Sequence, residues 1–134
     1  MSRIKGKDTK PEIVVRSLLH KMGYRFRLHG KISKKICSKG ILPGKPDIVM
    51  VKYRTVVFIH GCFWHMHGCK RSSMPKTNRE YWKNKLEKNV ERDLENRKKI
   101  EKLGYRVVVI WECETKNSEK LADIITERMK FHAL

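Results

Sequence analysis

Residues 47–60, DIVMVKYRTVVFIH, decide the fold of this chain. Two runs rich in β-branched residues, 47–51 and 55–60, are joined by a short Lys-Tyr-Arg segment, which is typical of an antiparallel hairpin. A third run of this kind, 105–112, contains VVVIW and follows a long helical pattern. A strand that a helix separates from its neighbour pairs in parallel through a crossover, so the sequence predicts a mixed sheet.

Apolar residues at helical spacing predict three helices, and a period of two predicts one more strand. Thr9 is suited to cap the first helix, and Gly23 and Gly104 are suited to end the first and second. The predicted helices are about 10–22, 79–103 and 119–131, the extra strand is 24–28, and 29–44 is an exposed basic loop. We therefore expect an α/β fold with element order α-β-β-β-α-β-α, a mixed sheet flanked by helices, in one domain over 1–134.

The composition points to a polyanionic partner. The chain has 134 residues, 40% of them hydrophobic, and a formal net charge of +18. A basic surface of this size binds phosphates and releases their counterions, although a ribosome-like or merely charged surface has the same composition. We find no apolar run long enough to span a membrane and no signal peptide, so we expect a cytoplasmic protein without a membrane partner.

The segment 60–69, HGCFWHMHGC, holds three histidines and two cysteines directly after a predicted strand. Cys113 follows the last strand, so the two strand ends can bring it to the same place. A structural zinc ion takes four sulfur or nitrogen ligands, and this count is met here. The candidate ligands are Cys62, His67, Cys69 and Cys113, with His65 as the alternative to His67. The simpler interpretation is that the cysteines are buried apolar residues; Cys37, in the basic loop, is expected to be a free thiol.

Asp47 opens the strand next to the one that ends in His60. A carboxylate in this place can hold Mg²⁺ through oxygen, while the histidines not bound to zinc stay available for chemistry. Taken alone, Asp47 is more simply a strand-entry residue and Glu12 a helix cap.

Four motifs together resemble one known family. They are DIV at 47–49, VVFIHGCFWHMHGC at 56–69, KNVERD at 88–93 and VIWEC at 109–113. With them, the chain from about Ile4 onward resembles the very-short-patch mismatch repair endonucleases, the Vsr family. The resemblance implies a restriction-endonuclease-like fold and Mg²⁺-dependent nicking of double-stranded DNA at T·G mismatches, the products of 5-methylcytosine deamination.

The resemblance also implies roles for individual residues. Asp47 is the metal-binding aspartate, His65 the general base, His60 an assistant at the phosphate, and Glu12 a neighbour on the first helix. The implied zinc ligands are Cys62, His67, Cys69 and Cys113. The implied DNA contacts are the wedging aromatics Phe63 and Trp64, helped by Trp82, and the polar Asn89. Asp93 matches another polar position of the KNVERD motif and has no assigned role. Trp82 is equally well explained as a residue of the helix core.

Two features depart from the family's pattern. Ile59 stands where better-known members have threonine, so this position is expected to contribute its backbone carbonyl to Mg²⁺. The N-terminal arm that reaches the DNA minor groove is expected to be short or absent, and the basic loop 29–44 to compensate for it.

The expected setting is the bacterial cytoplasm, at the nucleoid, where a monomer acts, with other mismatch repair proteins as possible partners. Two alternatives stay open. One is a zinc-stabilised DNA-binding module without catalysis, and the other is a nuclease of the same fold with a different DNA specificity.

Overall fold

The structure is a computed structural model that describes residues 10–62 and 76–130. In these ranges a four-stranded sheet is flanked by three helices. The helices are α1 (Lys10–Lys21), α2 (Arg79–Lys102) and α3 (Ser118–Lys130), and the strands are β1 (Arg27–Leu28), β2 (Ile48–Met50), β3 (Thr55–His60) and β4 (Arg106–Trp111). The predicted element order and mixed α/β class are confirmed.

The sheet has the strand order β1-β2-β3-β4. The pairs β1–β2 and β2–β3 are antiparallel, whereas β3 and β4 run parallel, with Thr55 opposite Arg106 and His60 opposite Trp111. Both the hairpin and the crossover through α2 are therefore as predicted. The strand predicted at 24–28 is shorter, because only Arg27 and Leu28 pair with β2.

The hairpin turns through a short 3₁₀ helix, Val51–Tyr53, followed by Arg54 in the left-handed conformation with φ of 48°. The Arg54 carbonyl accepts a hydrogen bond from the Arg106 amide at 2.7 Å, which connects the turn to the start of β4. Gly23 and Gly104 follow α1 and α2 with φ of 88° and 89°, as expected of helix-ending glycines.

Side chains alternate between the two faces of the sheet, and each face has its own apolar core. We call the face that packs on α1 and α3 the closed face. Its buried residues are Val15, Leu19, Ile48, Met50, Val57, Val108, Ile110, Leu121, Ile125 and Met129. We call the face below α2 the open face. Its buried residues are Ile32, Leu42, Val49, Val56, Ile100, Tyr105 and Val107.

The prediction of an exposed basic loop at 29–44 is confirmed for most of the segment, but the segment is also anchored by buried apolar residues, which was not predicted. Its lysines are exposed, but Ile32 and Leu42 are buried against the open face. A β-bridge between Lys31 and Ile41 closes the loop, and the Cys37 thiol donates to the Ile41 carbonyl at 3.1 Å. Two apolar residues among many lysines are enough to anchor it, which composition alone did not reveal. Within the described ranges, no helix combines the length and the apolar character needed to cross a membrane.

Candidate active site

A cleft of about 810 Å³ lies between α2 and the open face of the sheet, where β3 ends and β2 begins. Its walls combine apolar strand residues with charged residues of α2 and of the turn before β2. Among the polar and charged residues of these walls are Lys45, Asp47, His60, Asp93 and Arg97, and Ile59 lies beside them. The cleft therefore lies beside the carboxyl end of β3, where the sequence placed the candidate chemistry.

Asp47 comes directly before β2 and faces the end of β3. Its Oδ2 accepts a hydrogen bond from the Ile59 amide at 2.7 Å, and its backbone carbonyl accepts one from the His29 amide at 3.1 Å. The pKa of Asp47 is raised from 3.8 to about 7. Burial is the largest cause, and the nearby Glu12 carboxyl adds to it, while the Ile59 hydrogen bond and the positive charge of Arg16 oppose the shift. The carboxyl is thus held firmly in a place that disfavours its own charge.

Glu12 brings a second carboxyl to the same place. Together with Val15 and Leu19 it forms the buried stripe of α1, although it is an acidic residue. The Glu12 side chain shares a hydrogen bond with Asp47, and its Oε2 accepts one from the Arg16 guanidinium at 3.3 Å. Two carboxyl groups can share a hydrogen bond only when one of them carries a proton, so the pair is one that a cation would stabilise.

His60, the last residue of β3, is buried on the cleft side of the sheet. Its ring meets the Trp111 indole edge to face at a centroid distance of 5.3 Å and lies 5.6 Å from the Phe58 ring. Trp111 is the register partner of His60 in the parallel pair β3–β4. The neighbouring strand therefore positions the imidazole, which the motif alone did not indicate.

Cys62 and Cys113 lie at the same end of the sheet. Each follows the paired residues His60 and Trp111 by two positions, Cys62 fully buried and Cys113 half-buried in the 3₁₀ helix Glu112–Lys116. Glu114 anchors this helix, since its carboxylate accepts from the Trp111 amide at 2.8 Å and binds the Arg128 guanidinium at 2.7 Å. The expected meeting of the two strand ends is confirmed.

The predicted DNA contacts on α2 are partly accessible. Trp82 is half-buried, with its ring 5.3 Å from that of Tyr81, and Asn89 accepts a hydrogen bond from Arg92 at 2.8 Å. Asp93, one turn farther along, lines the cleft. Trp82 thus belongs neither to the fully buried core nor to a fully exposed surface.

The remaining predicted site residues, Phe63, Trp64, His65, His67 and Cys69, lie outside the described residues. In the ranges 10–62 and 76–130, no three His, Cys, Asp or Glu side chains come together as a metal site would require. The zinc and magnesium sites therefore stay predictions.

Sequence reasoning missed Arg16 and the significance of Lys45. Arg16 follows Glu12 by four positions, a spacing at which helical side chains meet, so this contact could have been found. Lys45 precedes Asp47 by two positions, but its place on the wall of the cleft follows only from the packing of the turn.

Comparison with known proteins adds independent findings. The family model described as DNA mismatch endonuclease Vsr matches residues 1–71. The type II nicking enzyme V.NmeAIP of Neisseria meningitidis is 45% identical over 131 residues, which cover 95% of this chain and 87% of the relative. The DNA mismatch endonuclease Vsr of Escherichia coli is 41% identical over 131 residues, covering 97% and 78%. The type II nicking enzyme V.XorIIP of Xanthomonas oryzae is 47% identical over 114 residues, covering 85% and 77%.

Proposed function

Because the chain belongs to the Vsr family of DNA mismatch endonucleases, we propose that the cleft at Asp47 nicks DNA at T·G mismatches and does so with Mg²⁺. The protein is a DNA endonuclease, and its mixed α/β fold is compatible with a restriction-endonuclease-like core. The observation that carries the proposal is the contact between Glu12 and Asp47 in a cleft of a chain with net charge +18.

The donor atoms fit a magnesium ion. Mg²⁺ takes oxygen ligands and usually one or two carboxylates, and Asp47 and Glu12 supply two carboxyls in contact. The Ile59 amide points toward Asp47, and a strand residue directs its N–H and C=O to the same side, so the Ile59 carbonyl faces Asp47 as well. A backbone carbonyl needs no hydroxyl side chain, which makes isoleucine acceptable at this position.

The bound ion would supply positive charge that neutralises the scissile phosphate and the leaving 3′ oxygen. In this proposal His65 accepts a proton from the attacking water, a task that a neutral imidazole can perform near neutral pH. His60 forms the wall beside the phosphate, and its contact with Trp111 keeps its ring in place. Asp47 and Glu12 would hold this ion, whose positive charge would orient the reacting phosphate.

Recognition of the mismatch is assigned to the aromatic residues. Phe63 and Trp64 would wedge into the base stack with help from Trp82, which is half-buried on α2. Separating stacked bases costs a few kcal/mol per step, and a T·G wobble lowers that cost because the pair stacks less well than its neighbours. Asn89, two turns farther along α2 than Trp82, is the proposed polar contact to the DNA.

Zinc is proposed as the ion that holds the loop after β3. Buried Cys62 and half-buried Cys113 fit as two of its ligands because both follow the paired ends of β3 and β4, and His67 and Cys69 would complete the tetrahedral set. The test is the zinc content of purified protein. We expect one zinc per chain, lost in Cys113→Ser and kept in Cys37→Ser, whose thiol has a separate partner in Ile41. Full zinc content in Cys113→Ser would contradict this ligand set.

The decisive experiment compares nicking of a T·G duplex with that of the matched T·A duplex, with Mg²⁺ and with no divalent cation added. We expect a nick beside the thymine of T·G only, and only with Mg²⁺. Equal nicking of both duplexes would favour a nuclease of other specificity, and binding without nicking would favour a DNA-binding module. Loss of nicking in Asp47→Asn, but not in Asp123→Asn on the exposed side of α3, would place the reaction in the cleft.

In the cell we propose that the protein works as a monomer in the bacterial cytoplasm, on nucleoid DNA, and in contact with other mismatch repair proteins. A single nick needs only one active site, which supports a monomer.

A further inference from the structure

Lys45 lies on the wall of the cleft, two residues before Asp47. The turn that carries it is tightly held. The Lys45 amide donates to the Leu42 carbonyl at 3.0 Å, and Pro46 after it is buried. On one side the Lys45 backbone packs so closely on Gly30 that a Cβ there would lie 3.0 Å from the Lys45 Cα, and on the other side Gly44 packs on Asn96 of α2. The side chain is exposed, but its backbone has a fixed position.

The backbone of Lys45 is in the left-handed region, with φ of 51°. This conformation costs free energy in any residue that has a Cβ, and glycine or asparagine adopts it more readily. Such strain often accompanies functional sites. It does not identify one by itself, because Arg54 has a similar φ of 48° in the hairpin turn at the far end of β3. What distinguishes Lys45 is its location beside the carboxyl pair.

Lys45 is a positively charged residue in a cleft that also contains negatively charged side chains. Asp47 and Asp93 both line it, and a phosphodiester that approaches them is repelled. Of the cations on the α2 wall, Arg92 donates to Asn89 at 2.8 Å and Arg97 pairs with Glu101 at 3.4 Å. Among the described residues, no side chain pairs with the Lys45 ammonium. A lysine is a flexible point charge that binds phosphate oxygens well.

We propose that Lys45 binds a non-bridging oxygen of the scissile phosphate and holds the DNA backbone against Asp47. This inference rests on the proposed function, since it assumes that DNA is cut in the Asp47 cleft. The lysine offsets the repulsion between the phosphate and the carboxyl pair, and the rigid turn keeps the ammonium close to the reacting phosphate. Lys45 precedes Asp47 by two residues and so brings a lysine to the cleft from the turn before β2.

The test uses Lys45→Asn, Lys45→Arg and the matched control Arg54→Asn in the full-length protein. Both asparagine variants lose one positive charge. Asparagine adopts the left-handed conformation more readily than lysine or arginine, so both variants should retain or slightly gain stability against urea. Arg54 is separated from the Asp47 site by the length of β3, roughly 16 Å along the strand. Any general effect of net charge on DNA binding therefore appears in both variants.

At saturating enzyme, we expect Lys45→Asn to slow single-turnover nicking of the T·G duplex on the order of 100-fold, as loss of one charge-stabilising donor does. We expect Lys45→Arg to stay within about threefold and Arg54→Asn within about twofold of the parent protein, because both keep the cation beside Asp47. The slope of log affinity against log salt should fall by about 1 for Lys45→Asn. Lys45→Gly, which also relieves the strain, provides a second variant should the asparagine protein fold poorly.

Two outcomes would overturn the inference in distinguishable ways. If Lys45→Asn or Lys45→Gly nicks at the rate of Arg54→Asn while Asp47→Asn is inactive, the cleft is the active site and Lys45 does not bind the scissile phosphate. If Asp47→Asn itself nicks normally, the proposed function of the cleft fails, and the role of Lys45 fails with it.

Discussion

The helices α3 and α2 pack on opposite faces of one sheet and differ in how they reach it. In the 13 residues of α3, Leu121, Ile125 and Met129 are buried in successive turns, which closes that face. In the 24 residues of α2, only Leu86 and Ile100 are buried. These two anchors are about 21 Å apart along the helix axis. Between them α2 stands off the sheet, and the cleft occupies the space.

The residues that face the sheet along this middle part of α2 are mostly polar. Asp93, Asn96 and Arg97 line the cleft there together with Val90. The strands beneath are the same strands that build the closed core, because Val57 belongs to the closed face whereas its neighbour Phe58 lines the cleft. The open face therefore owes its cleft to α2 and not to the sheet. A helix that contacts a sheet through only two widely spaced buried residues can thus leave room for a substrate between them.

The largest expected effect comes from Asp47→Asn, which should lower the nicking activity while it raises the free energy of unfolding. We expect nicking to fall at least about 100-fold, because the proposed metal ligand is lost. Without Mg²⁺ and at about pH 8, we expect the free energy of unfolding to rise by about 1–3 kcal/mol, because a buried charge is removed. Nicking assays and urea denaturation of the same preparations measure the two effects.

The stability gain expected for Asp47→Asn should depend on pH. The pKa of Asp47 is 3.8 when unfolded and about 7 when folded, so the folded state binds its proton more tightly. The carboxyl favours folding most below pH 3.8, and this contribution is lost as the pH rises to about 7. The stability gain of Asp47→Asn should thus be smaller at pH 5 than at pH 8. A stability gain of Asp47→Asn that is the same at pH 5 and pH 8 would contradict this explanation. So would an equally large gain in the control variant Asp123→Asn.

Truncating one leucine on each face tests the difference in packing. Leu121→Ala on the closed face should lower the free energy of unfolding by about 2–5 kcal/mol, as expected for a fully buried leucine. Leu94→Ala in the cleft should change it by less than about 0.5 kcal/mol, because Leu94 is 55% exposed. Urea denaturation measures both. Similar losses in the two variants would mean that α2 packs as tightly as α3.

The smallest expected effect concerns the contact between Gly44 and α2. Gly44 and Gly40 have nearly equal φ values, 75° and 74°, so alanine is strained equally at both. An added Cβ at Gly44 would lie 3.0 Å from the Asn96 side chain, whereas at Gly40 the nearest atom is at 3.5 Å. We expect Gly44→Ala to cost about 1 kcal/mol more than Gly40→Ala in urea denaturation. Asn96→Ala should abolish that excess; if the excess persists, the loop does not rest on α2 in this way.

Much of the fold could be predicted because its signals are local. The β-branched runs gave the hairpin, and the helical pattern of 79–103 between two strands gave the parallel crossover. The anchoring of the loop 29–44 was not predicted because it depends on Ile32 and Leu42 packing with α2 and the sheet, which no local pattern reports. The strand at 24–28 was overextended because alternation shows suitability for a strand and not the presence of a partner to pair with.

The candidate site, like the fold, has features that local sequence predicts and features that depend on distant contacts. Residue types and the motifs at 56–69 and 109–113 were enough to identify candidate metal-binding side chains and the family. The contact of Glu12 with Asp47, the packing of Trp111 on His60 and the place of Lys45 on the cleft wall became visible only in the folded structure. The physical reason is distance along the chain. Residue chemistry and periodicity are local properties, whereas burial, charge pairing and the pKa of a carboxyl depend on which distant segments pack together.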